Sequence, residues 1–247
     1  MVASSDAIAR WPGLRLDHRI AEGNRGEVWA ATSGPSGERV AVRRSRRSAA
    51  SLEWELDLIA DLGEAGFLVP TIVTTEDGRR SVDGVVVQRW ISGREPASPD
   101  DWRAVAATLH RLHTSASERP QRPGCSVSSE LTRDSTSVDA DLSALPDGVA
   151  TELVATFRSL ASSPISVIHG DPNPTNLRIT DDGRVGLLDF DESRIDHCWH
   201  DLSNLGVQIL DDDDHAAAQR LSHAWEAANA WIVEPDYARR RLAALRA

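Results

Sequence analysis

The sequence predicts an α+β chain, strand-rich over its first third and mainly helical after that. Three observations lead there. Short apolar segments between the turn sequences GNRG, SGPSG and EDGRR fill residues 14–91. Apolar residues recur at helical spacing over residues 49–64 and again beyond Ser98. The run HGDPNPTN at residues 169–176, followed by LLDFDES around Asp189, interrupts the helical part with a proline-stiffened loop and a short ribbon. At 247 residues and 40% apolar content, the chain can build a sizeable core as one two-lobed domain or two small ones.

Residues 14–21 and 27–32 read as strands flanking GNRG at 23–26, and SGPSG at 33–37 turns the chain into a third strand, 39–44. Side chains alternate across a strand, so Ala41 and Arg43 share a face. Residues 49–64 form a helix with Leu52, Leu56, Ile59 and Leu62 on its apolar stripe and Ser48 or Ser51 as its cap. After Pro70, residues 71–75 and 84–91 give two further strands. Ser98 caps a second helix, on which Trp102, Val105, Leu109 and Leu112 share a face. His110 and His113 on that helix lack a third ligand and read as packing or surface residues.

Residues 119–146 are rich in Ser and Pro without periodicity, which predicts a long loop or variable insertion. Residues 166–168 form a short strand entering the HGDPNPTN loop, where Pro172 and Pro174 deny a helix. Residues 177–180, the DDGR turn and residues 185–188 read as a hairpin carrying Asn176 and Asp189. Residues 199–247 hold two or three helices. DDDD at 211–214 reads first as acids favoured at a helix start and second as a lure for a cationic amino sugar.

The loop and ribbon carry the chemistry. Phosphoryl transfer needs a carboxylate to orient the attacking hydroxyl and metal ions to neutralise phosphate oxygens. Asp171 fits the first role. Asn176, five residues on, and Asp189, thirteen beyond that, offer hard oxygen ligands for magnesium.

The motif resembles that of the aminoglycoside phosphotransferases and choline kinases, in which H-G-D-x-x-x-x-N is the catalytic loop and an Asp after an apolar strand replaces the D-F-G of protein kinases. The resemblance covers most of the chain. It implies a bilobal protein-kinase-like fold, with residues 1–92 as a nucleotide-binding lobe of antiparallel sheet and one helix, and residues 93–247 as a mainly helical catalytic and acceptor-binding lobe. It implies transfer of the γ-phosphate of ATP or GTP, with Mg²⁺, to a hydroxyl of a small molecule. Asp171 would be catalytic, and Asn176 and Asp189 would bind metal. His169 and Asp201 would support the loop, Gly23 and Gly26 would cover the phosphates, Ala41 would lie against adenine, and the backbone around Gln88, Arg89 and Ile91 would meet the adenine edge, with Val87 lining its pocket. Gly170 stands where protein kinases carry the Arg that reads an activation-loop phosphate, which favours a small-molecule acceptor.

One position departs from the resembled family. The V-A-I-K strand appears here as VAVR, placing Arg43 where a Lys would bind the phosphates, with Glu55 as its ion-pair partner and Glu53 as the alternative. Arg presents a planar fork in place of a compact charge. Two readings therefore stay open: an active phosphotransferase whose pocket suits Arg43, and a nucleotide-binding pseudokinase with a regulatory or scaffold role.

Composition narrows the partners. All 27 basic residues are Arg, so lysine Schiff-base chemistry is excluded. A net charge of −11 disfavours nucleic acid and favours a cationic substrate. The first ten residues lack a signal-peptide apolar run and no stretch approaches a membrane span, so a cytoplasmic protein without membrane partners is expected. Cys125 and Cys198 are too few for a disulfide framework.

Overall fold

The first hundred residues build one antiparallel sheet because each turn sequence returns the chain beside the strand before it. The computed structural model describes residues 5–22, 26–116, 119–159 and 163–247. A short helix α1 (Ser5–Ile8) precedes β1 (Arg15–Glu22), β2 (Gly26–Ser33), β3 (Glu38–Ser45), helix α2 (Ala49–Glu64), β4 (Ile72–Val73) and β5 (Val85–Arg89). The strands order as β1-β2-β3-β5-β4, every pair antiparallel. Gly34 and Gly37 take positive φ in the β2–β3 turn, a conformation open to glycine without steric cost.

The sheet has two differently used faces. Val40, Val42, Val85 and Val87 bury against Ala7 and Trp11, whose indole Nε1–H donates to the Val73 carbonyl at 2.7 Å. On the other face Val86 packs against Leu52 and Leu56 of α2. Ser48 caps α2 by accepting a hydrogen bond from the Ser51 N–H, which decides between the two candidate caps. The strand expected over 71–75 shortens to Ile72–Val73, because the Thr75 hydroxyl instead closes a turn, donating to Asp77 at 2.6 Å and accepting from the Arg79 N–H at 2.9 Å.

From Pro99 the chain is mainly helical. Helix α3 (Pro99–Ser115) starts in a capping box, Ser98 and Asp101 each satisfying the other's backbone N–H. Helix α4 (Asp147–Ser159), strand β6 (Ile165–Ile168), β7 (Leu177–Ile179), β8 (Val185–Leu187), β9 (Arg194–His197), α5 (Trp199–Leu202), α6 (Asp212–Ala230) and α7 (Pro235–Leu245) follow. β6 pairs antiparallel with β9, and β7 with β8.

The described residues fall into two compact units, 1–94 with 178–191 and 95–177 with 192–247. The first unit thus takes in the β7–β8 turn and β8, which the sequence reading assigned to the second lobe. Leu187 N–H donates to the Leu68 carbonyl at 2.9 Å, and Gly186 lets Ile91 and Leu68 close over it, since a Cβ there would lie 3.1 Å from the Ile91 side chain.

The segment 119–146 is the long loop expected, and it is packed into the core. Leu131, Ala140 and Leu142 enter the same core as Leu153, Phe157, Leu221, Trp225 and Leu242. The Arg122 guanidinium, fully buried, donates to the Ser193 carbonyl at 3.0 Å. Two single 3₁₀ turns, Ser128–Glu130 and Leu142–Ala144, aim isolated apolar side chains inward, and such turns leave no periodic trace in a sequence. Among the described residues, no helix is long and apolar enough to cross a membrane.

Candidate active site

In the second unit, β6 delivers the chain into the HGDPNPTN loop and one buried carboxylate fixes its start. Asp201, on α5 and fully buried, accepts from the His169 N–H at 2.8 Å, the Gly170 N–H at 2.8 Å and His113 Nε2 at 2.8 Å. Burial would raise its carboxyl pKa, but the His113 hydrogen bond, the charges of His113 and His169 and the Gly170 N–H outweigh that and hold it below the usual range. His113 responds in the opposite sense. Burial lowers its pKa, while hydrogen bonds and charge from Asp201 and Cys198 raise it to about 9. His113 is therefore a cation of the loop's foundation, a packing residue in a sense its sequence position did not reveal.

The loop's shape follows from Gly170. Its φ of 90° lies in the left-handed region, and a Cβ there would stand 2.4 Å from the Glu192 carbonyl oxygen. His169 is fully buried and its carbonyl accepts from the Ser193 hydroxyl at 2.9 Å, so it is a wall of the loop. Pro174 starts a 3₁₀ turn, Pro174–Asn176, that swings Asn176 back over Asp171. Asn176 Nδ2 donates to Asp171 Oδ2 at 2.9 Å and to the Asp171 carbonyl at 3.0 Å; Asn173 Nδ2 donates to the same Oδ2 at 2.8 Å. Two amides thus fix one oxygen of the half-buried carboxylate. With its NH₂ group so used, Asn176 keeps Oδ1 for another partner.

In the first unit, Arg43 is the centre. It is 5% exposed, and its NH2 end ion-pairs with Glu55, which is 0% exposed. Glu53, the alternative partner, meets Arg80 instead. The NH1 end of Arg43 lies 3.3 Å from Asp189 Oδ1 and 3.6 Å from Asp191 Oδ1. Burial lowers the Arg43 pKa, yet Glu55, Asp189 and Asp191 together outweigh it and drive the pKa above its ordinary value. Arg47 completes the cluster, with Nε 3.3 Å from Asp191 Oδ2 and NH2 donating to the Asp191 carbonyl at 2.6 Å. Asp189 has φ 53° and a side chain 42% exposed, so its carboxylate is the open one of the three.

The remaining expected residues are placed as follows. Ala41 pairs with Gln88 in the β3–β5 ladder and Arg43 with Val86, on the sheet face that also meets α2. Val87 lies on the opposite face, fully buried beside Val42, so it cannot line a pocket over Ala41; strand alternation puts Val86 and Gln88 there instead. The Arg89 N–H is taken by the Thr71 carbonyl at 2.8 Å, the Trp90 N–H by Arg39 at 3.2 Å, and the Arg89 side chain by Glu38 at 2.5 Å. Ile91 packs on Gly186. Gly26 opens β2 opposite Ser45, and Gly23 lies outside the described residues.

Sequence reasoning missed Asp191, Arg47 and Asn173. The second acid of DFDES, the basic run RRSRR and the Asn between two prolines were their signals. It also missed Asp196, fully buried, which accepts from Ser128 Oγ at 2.7 Å and Arg194 Nε at 2.9 Å, with the Arg194 guanidinium stacked 3.7 Å from the Trp225 ring.

Each unit offers one hard oxygen of the kind that suits magnesium, the Asp189 carboxylate in the first and the Asn176 amide oxygen in the second. Among the described residues no group of three His, Cys, Asp or Glu side chains could hold a metal ion.

The sequence pattern of the phosphotransferase enzyme family matches residues 18–243. This chain belongs to that family. The phosphotransferase chain is similar in structure to choline kinase LicA from Streptococcus pneumoniae, 15% identical, with a TM-score of 0.66 over 97% of this chain and 94% of that one. It is also similar to an ethanolamine kinase from Plasmodium vivax, 12% identical, with a TM-score of 0.64 over 95% and 82% of the two chains. A spectinomycin phosphotransferase solved with ADP and spectinomycin is 12% identical, with a TM-score of 0.56 over 94% and 87%. Comparison with curated protein sequences gives no match. The architecture is therefore the α+β, protein-kinase-like one.

Proposed function

We propose that this member of the phosphotransferase family moves the γ-phosphoryl group of ATP or GTP, with Mg²⁺, to a hydroxyl of a small molecule. The observation that carries the reading is the Asp171 carboxylate, held through one oxygen by Asn173 and Asn176 on a loop anchored by Asp201. A carboxylate so fixed orients an attacking hydroxyl and accepts its proton as the O–P bond forms, without reorganising in the transition state. Asn176 and Asp189 are the proposed metal ligands, Arg43 the phosphate contact, and Gly23 and Gly26 the cover over the phosphates. Magnesium would neutralise the phosphate oxygens as charge shifts between them. Ala41 and the Gln88–Ile91 backbone are proposed for the adenine, with residues 1–92 as the nucleotide lobe and 93–247 as the acceptor lobe. A cytoplasmic location agrees with this use of nucleotide.

The test is Asp171→Ala in a coupled ADP- or GDP-release assay against a panel of aminoglycoside, choline and sugar acceptors. A loss of turnover of about 10²-fold or more is expected, with nucleotide binding retained. Unchanged turnover would remove Asp171 from the mechanism.

One observation favours the second reading, a nucleotide-binding pseudokinase: Arg43 already faces three carboxylates, Asp189 among them. Arg43→Lys separates the two. A fall in ATP turnover means a pocket fitted to Arg, and a rise of tenfold or more favours the pseudokinase.

A further inference from the structure

Asp189 is the residue that the phosphotransferase reading gives to the metal, and in the structure it faces a cation that cannot leave by losing a proton. The Arg43 guanidinium is always charged, and its NH1 end sits 3.3 Å from Asp189 Oδ1. The other end is tied down. Glu55, fully buried on α2, holds NH2, and Asp191 approaches NH1 at 3.6 Å while itself gripped by Arg47 through both side chain and backbone. A lysine ammonium is one compact charge, whereas the planar fork of Arg43 spans Glu55 and Asp189 at once. One donor of that fork has no acceptor: the Nε–H of Arg43 is buried and takes no hydrogen bond among the described residues. A buried unpaired N–H is costly, and it marks the guanidinium as waiting for a further acceptor.

We infer that Arg43 occupies the place of the metal at Asp189 until a nucleotide's phosphates draw the guanidinium towards themselves, so that this chain takes up its divalent cation with or after the nucleotide and not before it. The inference rests on the phosphotransferase reading and deepens it. Charge explains the order. Arg43 and Arg47 against Glu55, Asp189 and Asp191 leave the cluster with one net negative charge, too little to hold a dication beside a guanidinium. A polyphosphate supplies both the acceptor for Nε–H and the extra negative charge. It removes Arg43 from Asp189 and leaves the most exposed carboxylate of the three open to the metal. By thermodynamic reciprocity, metal must then tighten nucleotide by the same factor that nucleotide tightens metal.

The test uses Mn²⁺ as a paramagnetic probe, its binding read by electron paramagnetic resonance on the full chain, with and without a non-hydrolysable ATP or GTP analogue. Wild type is expected to bind Mn²⁺ weakly alone and at least tenfold more tightly with analogue. Arg43→Lys keeps a cation for Glu55 but releases Asp189, so it is expected to bind Mn²⁺ alone at least tenfold more tightly than wild type; adding Asp189→Asn should cancel that gain. Equal Mn²⁺ affinity of wild type with and without bound analogue overturns the inference, and this comparison needs no variant to fold. Equal nucleotide-free affinity of wild type and folded Arg43→Lys overturns it too. If no analogue binds wild type at all, the phosphotransferase reading fails, while the nucleotide-free comparison still decides whether Arg43 blocks Asp189.

Discussion

At the scale of single residues, the consequential identities are those that fix backbone or charge. Gly170 is the clearest. Alanine there would need a left-handed φ, unfavourable by roughly 1–2 kcal/mol for a residue with a Cβ, and would also press that Cβ against the Glu192 carbonyl. Gly170→Ala is expected to lower the urea midpoint by an amount equivalent to about 2 kcal/mol or more, and to reduce turnover by moving Asp171; an unchanged midpoint would mean the loop relaxes freely. Asp171, Asn176 and Asp189 could be singled out from order and spacing, because phosphoryl-transfer chemistry constrains residue type and separation together, and Arg43 from the resemblance of its strand to V-A-I-K. Asp191 and Arg47 could not. Their part depends on the turn after Asp189, where an acid in a row of acids looks like every other solvated acid.

Among the elements, those with a periodic signal were legible and those held by single contacts were not. Helix α2 runs Ala49–Glu64, the span its apolar stripe indicates, and α3 begins after the Ser98 cap. Segment 119–146 is the long loop its composition indicates, but its packing left no trace in the sequence, because Leu131 and Leu142 reach the core one at a time, beside turns too short to show a period. Val87 was misplaced by one register step, which in a strand reverses the face. The capping box of α3 gives a measurable expectation, since α3 carries His113 to Asp201. Ser98→Ala should destabilise the protein by about 1 kcal/mol in equilibrium unfolding. Ser98 touches none of the Asp171 loop residues in its capping box, so kcat should change little; a large kcat loss would show that the position of α3 tunes the proposed site.

For the whole molecule, the buried His113–Asp201 pair links stability to pH. An unfolded histidine titrates near 6.5, and His113 in the fold near 9. The folded pKa is the higher one, so protonated His113 stabilises fully below about pH 6.5, and the contribution disappears as pH rises from there through about 9. The melting temperature should fall across that window, and His113→Gln should flatten the fall even if it lowers the whole curve. A wild-type and variant decline of equal slope would contradict the assignment. The division of the chain adds a consequence for biosynthesis. The first compact unit needs residues 178–191, which leave the ribosome only after all of residues 95–177. A nascent chain stopped at residue 94 contains the sequence of all five strands but lacks Gly186, Leu187 and Asp189, which supply partners to the Leu68 carbonyl and the NH1 end of Arg43. The first unit is therefore complete in sequence only after residues 95–177 have been made, and no single cut in the chain can release both units whole.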